Sequence, residues 1–173
     1  MRVIIVSCMF LLMRVNLMAC SCNSEASFTE VTSKVQTITV VKVVRYLSFN
    51  QIYNEQTPMS MEVEVVEMLK GTEKRRRFII WGDNGILCRP YLSAFKENNY
   101  YVIALNTGNP GSGHTEESVS DYSISVCGTT WLNYDMSKQE ANGRIIDKTT
   151  SMKINKLRLY CTEAGDIINH EPL

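Results

Sequence analysis

The chain has 173 residues, of which 45% are hydrophobic, and its 18 basic and 18 acidic residues leave a formal net charge of zero. This length and apolar content suit one domain with a substantial core. The balanced charge gives no reason to expect a nucleic acid or another acidic polymer as partner, so we expect no nucleic-acid binding.

An apolar leader opens the chain. Residues 3–13 (VIIVSCMFLLM) follow Arg2, and the small residue Ala19 stands directly before Cys20. This pattern predicts a secretory signal peptide over residues 1–19, because the apolar run is too short for a permanent membrane span. Cleavage after Ala19 makes Cys20 the N-terminal residue, which then carries a free α-amine, a carbonyl and a sulfur. We therefore expect a secreted, extracellular protein.

The body of the chain is rich in strand-forming residues. Alternating or continuous apolar runs with many β-branched and aromatic residues predict five strands. These strands cover residues 35–49, 59–69, 77–81, 100–105 and 122–126. Their short spacing favours a small barrel. We predict a mainly β fold with a five-stranded closed barrel of the oligonucleotide/oligosaccharide-binding (OB) type.

Two segments lack this strand pattern. Residues 106–121 are rich in Gly, Ser and Pro and predict a mobile surface loop. Residues 136–162 are polar with scattered apolar positions and predict one or two helices that close the domain. His114 in the loop and His170 in the tail fit no metal-binding or catalytic spacing, and we assign them no role.

No constellation of residues indicates catalysis. No acid/base pair, nucleophile setting or phosphate-binding loop stands out, so we predict that the protein is not an enzyme and has no cofactor or metal of its own. Four aromatic residues could form a ligand-stacking face, as OB barrels often use, or fill the barrel and its rim, which we favour. They are Trp81, Tyr100, Tyr101 and Trp131.

Five of the six cysteines follow the predicted cleavage point. They are Cys20, Cys22, Cys88, Cys127 and Cys161. In an exported protein we expect cysteines to be disulfide partners before they are metal ligands. Because the count is odd, one of them has no partner within the chain.

Residues 20–135 resemble the netrin-like domain of the tissue inhibitors of metalloproteinases (the TIMP family). The resemblance depends on the Cys20-x-Cys22 start, the VVKVV strand at 40–44, the MLKGTEK segment at 68–74, Cys88 after a Gly-containing turn, the YYVIAL strand and Cys127 at the end of a strand. It implies a netrin-like OB barrel over residues 20–135. Residues 136–173 then form a C-terminal helical segment and tail packed on the barrel.

The resemblance also implies a disulfide pairing and a mechanism. Cys20 is expected to bond to Cys88, and Cys22 to Cys127. In this family the α-amine and carbonyl of the first cysteine chelate the catalytic zinc of a metalloprotease and displace the water that hydrolysis needs. The resemblance therefore assigns zinc chelation in trans to Cys20 and makes a zinc metalloprotease the expected partner.

Four residues around Cys20 are the expected contacts with the protease. Ser21 would enter the specificity pocket of the enzyme, next to Cys22. Ile86 and Leu87 must lie beside the N-terminus if Cys88 bonds to Cys20, and there they would contact the protease. Packing at the end of the barrel is the alternative role of these two side chains.

Cys20 has a second interpretation. Residues 17–20 (LMAC) are close to a bacterial lipobox, in which the cysteine sulfur becomes a thioether to diacylglycerol. The alternative function is then a non-inhibitory cell-envelope lipoprotein or binding module, periplasmic or anchored in the outer membrane. We expect membrane association only in that case, and a monomer otherwise. Cys161 remains open as a free thiol, an intermolecular link, or a partner of Cys22 or Cys88 if Cys20 is lipidated.

Overall fold

The computed structural model describes residues 20, 22, 25–111 and 114–168. The predicted leader over residues 1–19 and the predicted contact residue Ser21 lie outside this description. The described residues form eight strands, two α-helices and one 3-10 helix. In chain order these are α1 (Phe28–Thr32), β1 (Thr37–Ile52), β2 (Glu55–Lys70), β3 (Arg77–Trp81), the 3-10 helix (Leu92–Ala94), β4 (Tyr100–Thr107), β5 (Tyr122–Ser123), β6 (Trp131–Asp135), β7 (Glu140–Ile146), β8 (Thr149–Lys153) and α2 (Ile154–Ile168).

Five of these strands close a barrel. β1 pairs with β2, β2 with β3, β3 with β5, β5 with β4, and β4 returns to pair with β1. All of these pairs are antiparallel except β3 with β5, which is parallel. The prediction of a mainly β fold with a five-stranded, OB-like closed barrel is confirmed. Closure gives each of these five strands a neighbour on both sides, although the second half of β1, residues 43–52, pairs with β2 alone.

Strand β1 is apolar on both faces because it lies between two cores. Val41 and Val43 point into the barrel and pack with Met61, Val63, Ile80 and their neighbours. Ile38 and Val40 point outward into a second core, built with α1, α2 and the later strands. Since successive side chains of a strand face opposite sides, a strand buried on both sides reads as a continuous apolar run.

The C-terminal part begins with strands and ends with a helix. β6 extends the sheet beyond β4, and β7 and β8 form an antiparallel hairpin beside it. The helical interpretation of residues 136–162 therefore holds only from Ile154 onward. Ala141, Ile145 and Met152 are the buried apolar residues of this hairpin. Apolar residues so widely separated do not reveal the period of two that identifies a strand.

The described part of the loop between β4 and β5, residues 108–111 and 114–121, has several anchors. Three polar side chains of this loop, those of His114, Glu117 and Asp121, are buried. Glu117 accepts hydrogen bonds from Arg89 at 2.8 and 3.0 Å and from the backbone N–H of Asn109 at 2.7 Å. The expectation of a mobile surface loop over residues 106–121 is corrected, because the described part of this segment carries buried polar side chains with fixed partners. Composition does not reveal that these polar groups find buried partners elsewhere in the fold.

Candidate functional site

Two disulfides hold the start of the described chain against the barrel. They join Cys20 to Cys88 and Cys22 to Cys127, with Cα–Cα distances of 5.6 and 5.4 Å. These are the pairs that the resemblance implies. Each bond closes a long segment, since the partners are 68 and 105 positions apart in the chain. Disulfides of this kind form and persist in oxidising compartments, which indicates a protein located outside the cytoplasm.

The two cysteine-bearing loops are joined to each other. Cys88 lies after β3 and Cys127 lies between β5 and β6, and the backbone N–H of Val126 donates to the carbonyl of Cys88 at 3.2 Å. Cys20 and Cys22, which are bonded to these two loops, are both exposed. The disulfides therefore attach Cys20 and Cys22 to two loops that are joined to each other by a backbone hydrogen bond.

The segment after Cys22 is fastened by backbone contacts. The N–H of Thr129 donates to the carbonyl of Ala26 at 2.8 Å. Gly128, beside it, has φ +86°, and a Cβ there would lie 2.9 Å from side-chain atoms of Ala26 and Val31. Such a close approach requires glycine. Helix α1 then begins with a capping box between Ser27 and Glu30.

A tight turn presents the predicted contact residues. The carboxylate of Asp83 accepts hydrogen bonds from the N–H groups of Gly85 (3.1 Å) and Leu87 (2.7 Å), and Asn84 accepts one from Ile86 (3.3 Å). Ile86 is 82% exposed at the tip of this turn, whereas Leu87 is half-buried. The exposed side chain of Ile86 is thus accessible to a partner, whereas the side chain of Leu87 packs partly against the protein itself.

Sequence reasoning missed two aromatic residues beside this turn. Tyr53 is 86% exposed at the tip of the β1–β2 hairpin, next to Ile52, whose side chain lies closest to the Gly85 position. Burial raises the pKa of Tyr91, and the nearby groups of Asp83 and Tyr53 raise it further. No local signal marks these tyrosines, because Tyr53 comes near Tyr91 only through the folding of the long β1–β2 hairpin.

Cys161 lies away from this site. It is the free cysteine among those the structure describes, and it is fully buried on α2 in the outer core. Burial raises the pKa of its thiol to about 12. A thiol in this environment is protonated at neutral pH and unreactive. Of the roles considered for Cys161, that of a free thiol is the one present in the structure.

The described residues contain no group of three or more His, Cys, Asp or Glu side chains that could hold a metal ion. Within the same residues, no helix has the length and apolar character needed to cross a membrane.

No family model and no curated protein matches the sequence. The site is therefore defined by its geometry: two exposed cysteines fixed by disulfides, flanked by an exposed apolar turn.

Proposed function

We propose that the protein is an exported, TIMP-like inhibitor of a zinc metalloendopeptidase, in which Cys20 becomes the N-terminal residue and binds the protease zinc. The observation that carries this proposal is the double attachment of Cys20 and Cys22 to adjoining loops at one end of the barrel. A residue held in this way stands at a fixed position on the surface, as a chelating group must.

The chemistry of an N-terminal cysteine suits this role. Its α-amine has a pKa near ~8, so a metal displaces the proton at neutral pH. The amine nitrogen and the carbonyl oxygen of the same residue then close a five-membered chelate on the zinc. A catalytic zinc has three protein ligands and an open position occupied by water. Occupation of that position by Cys20 removes the water that attacks the substrate.

The disulfides also lower the cost of binding. A flexible N-terminus would lose conformational entropy when it enters an active-site cleft, whereas one held at Cys20 and Cys22 has lost that entropy already. Ile86, which is exposed beside the Cys88 loop, supplies apolar contact area to the partner. Ser21, between the two cysteines, is the side chain proposed to enter the specificity pocket.

A lipid-anchored envelope protein is the competing function. It uses the same sulfur differently, because a thioether on Cys20 excludes the Cys20–Cys88 disulfide. The mass of the mature N-terminal peptide separates the two functions. A diacylglycerol adduct would establish the anchor, and a free amine with a Cys20–Cys88 bridge would establish the starting point of the inhibitor.

The decisive test moves the amine away from the zinc. The secreted protein that begins at Cys20 is compared with a variant carrying one extra alanine before Cys20, against a panel of zinc endopeptidases with a fluorogenic peptide. We expect the extension to weaken inhibition by about 100-fold or more, equivalent to ~2.7 kcal/mol of lost coordination. Peptide mapping of both disulfides and an unchanged melting temperature serve as the folding controls. Undiminished inhibition by the extended variant would exclude zinc chelation through Cys20.

A further inference from the structure

A second concave site lies on the barrel beside the turn that carries Asn84. Its volume is about 240 Å³, and it opens between the β1–β2 hairpin, the end of β3 and the loop around His114. Its lining includes Asn84, from the turn that presents Ile86, but none of the residues proposed to act on the protease, which are Cys20, Ser21, Cys22, Ile86 and Leu87. An inference about this pocket is therefore independent of the inhibitor proposal.

The floor of the pocket is aromatic and rigid. The rings of Trp81 and His114 lie 4.8 Å apart, and both residues are buried. The indole N–H of Trp81 donates to Asp121 at 2.9 Å. His114 Nε2 lies 2.8 Å from the carbonyl oxygen of Gly82, so this nitrogen carries the proton and donates. Both rings are thus fixed by hydrogen bonds before any ligand arrives.

One wall is held by a buried ion pair. Glu117 directly follows the lining residues Thr115 and Glu116, and it pairs with Arg89 through two hydrogen bonds. A wall anchored in this way loses little entropy when a ligand binds. Phe49, which also lines the pocket, is 50% exposed.

The polar groups of the lining are neutral or acidic. They include the amide of Asn50, the hydroxyl of Thr115 and the carboxylate of Glu116, and none of the described lining residues is Lys or Arg. A phosphate or sulfate group would find no cation here, which excludes nucleic acids and sulfated polymers. A pyranose ring suits such a site, since its C–H face packs on an aromatic ring while its hydroxyls bond to amide, hydroxyl and carboxylate groups.

The position in the fold supports the same ligand class. OB barrels bind oligosaccharides and oligonucleotides between the β1–β2 hairpin and the β4–β5 loop, and these two elements border the pocket. The volume is below the ~300 Å³ at which drug-sized ligand pockets begin, and it suits a single ring. We propose that this pocket binds one ring of an uncharged oligosaccharide, with Phe49 as the stacking residue.

Tryptophan fluorescence tests the proposal directly. The chain has two tryptophans, and the Trp131→Phe variant leaves Trp81 as the reporter beside the pocket. This protein is titrated with cellotriose, maltotriose and chitotriose up to about 10 mM, and with a heparin-derived tetrasaccharide as the anionic comparison. We expect a saturable change in Trp81 emission with at least one neutral trisaccharide, and none with the heparin fragment.

Variants then assign the binding to the pocket. Phe49→Ala should weaken binding of that trisaccharide by about tenfold, and the matched control Leu47→Ala, exposed on the same strand outside the lining, by less than about twofold. Thr115→Ala and Glu116→Gln change exposed side chains and provide a second test if Phe49→Ala does not fold. No saturable response to any neutral trisaccharide, a preference for the heparin fragment, or unchanged affinity in all three pocket variants would overturn the proposal.

Discussion

Arg89 and Glu117 form an ion pair that is almost completely withdrawn from solvent, with side-chain exposures of 9% and 0% and an N–O distance of 2.8 Å. Arg89 adjoins Cys88, and Glu117 adjoins the wall of the side pocket. The pair therefore connects the loop that holds Cys20 to the β4–β5 loop. A buried charge without its partner is costly, so this contact also makes both loops sensitive to substitution.

Removal of one member of this pair should destabilise the protein strongly. We expect Glu117→Gln to lower the free energy of unfolding by about 3 kcal/mol, because it removes the buried carboxylate that accepts two hydrogen bonds from the Arg89 guanidinium. Urea denaturation measures the change. The double variant Arg89→Met/Glu117→Leu is the control and should lose less than the single variant. Equal losses would mean that the buried charge is compensated by other groups.

Gly128 should tolerate a side chain less well than Gly85. Both residues have positive φ, +86° and +101°, so alanine is strained at either position. At Gly128 a Cβ would also lie 2.9 Å from atoms of Ala26 and Val31, whereas at Gly85 the nearest atom is 3.7 Å away. We expect Gly85→Ala to cost about 1 kcal/mol and Gly128→Ala at least about 1 kcal/mol more, measured by thermal unfolding. Equal costs would show that the Cys127 loop can move away from Ala26.

Acid should weaken the protein partly through Glu73. Hydrogen bonds from the side chain of Arg75 lower the pKa of this carboxyl from 4.5 to about 2. Because the folded state holds the lower pKa, the stabilisation is complete above pH 4.5 and is lost as the pH falls toward 2. We expect Glu73→Gln to reduce the loss of stability over this range by about 1 kcal/mol, since Arg75 is 41% exposed and solvent screens the pair.

The matched control for Glu73 is Glu55→Gln, which changes an exposed carboxylate at the start of β2. Denaturant unfolding at several pH values between 2 and 5 compares the three proteins. If Glu73→Gln and Glu55→Gln follow the same pH dependence as the parent, Glu73 does not contribute to acid sensitivity.

Cys161 should behave as an inert core residue. In a protein that begins at Cys20 we expect one thiol per chain to react with a thiol reagent after unfolding and essentially none before, because burial raises the pKa of this thiol to about 12. Cys161→Ser should destabilise the fold by about 1–2 kcal/mol, since it places a hydroxyl in an apolar cluster. Rapid labelling of the native protein would contradict this assignment.

Ile86 should matter for inhibition and not for stability. If the inhibitor proposal is correct, Ile86→Glu weakens inhibition of the target protease by about tenfold, because an apolar contact near the zinc is replaced by a charge. The free energy of unfolding should change by less than about 0.5 kcal/mol, as the side chain is exposed. Val119→Glu, another exposed apolar position, is the control and should leave inhibition unchanged. Equal effects of the two variants would place Ile86 outside the interface.

The barrel could be predicted from the sequence because its signals are local. β1 is rich in β-branched residues, which favour strands. In β2, Met61 and Val63 alternate with Glu62 and Glu64, and this period of two fits a strand and not a helix. The hairpin of β7 and β8 could not be predicted in the same way. Its polar, half-exposed residues become strands only by pairing with β6, as in the register of Asn133 with Asn142.

The sequence by itself determined where the cysteines stand and which segments can form strands, since both depend on residue type and short spacing. Only the tertiary structure decided which distant groups meet. Tyr53 and Asp83 lie near Tyr91, Arg89 meets Glu117, and His114 packs on Trp81 through contacts between separate elements. The physical reason is that burial and strand pairing depend on contacts between separate segments. These contacts exist only in the closed barrel with its loops, so the sequence of one segment does not reveal them.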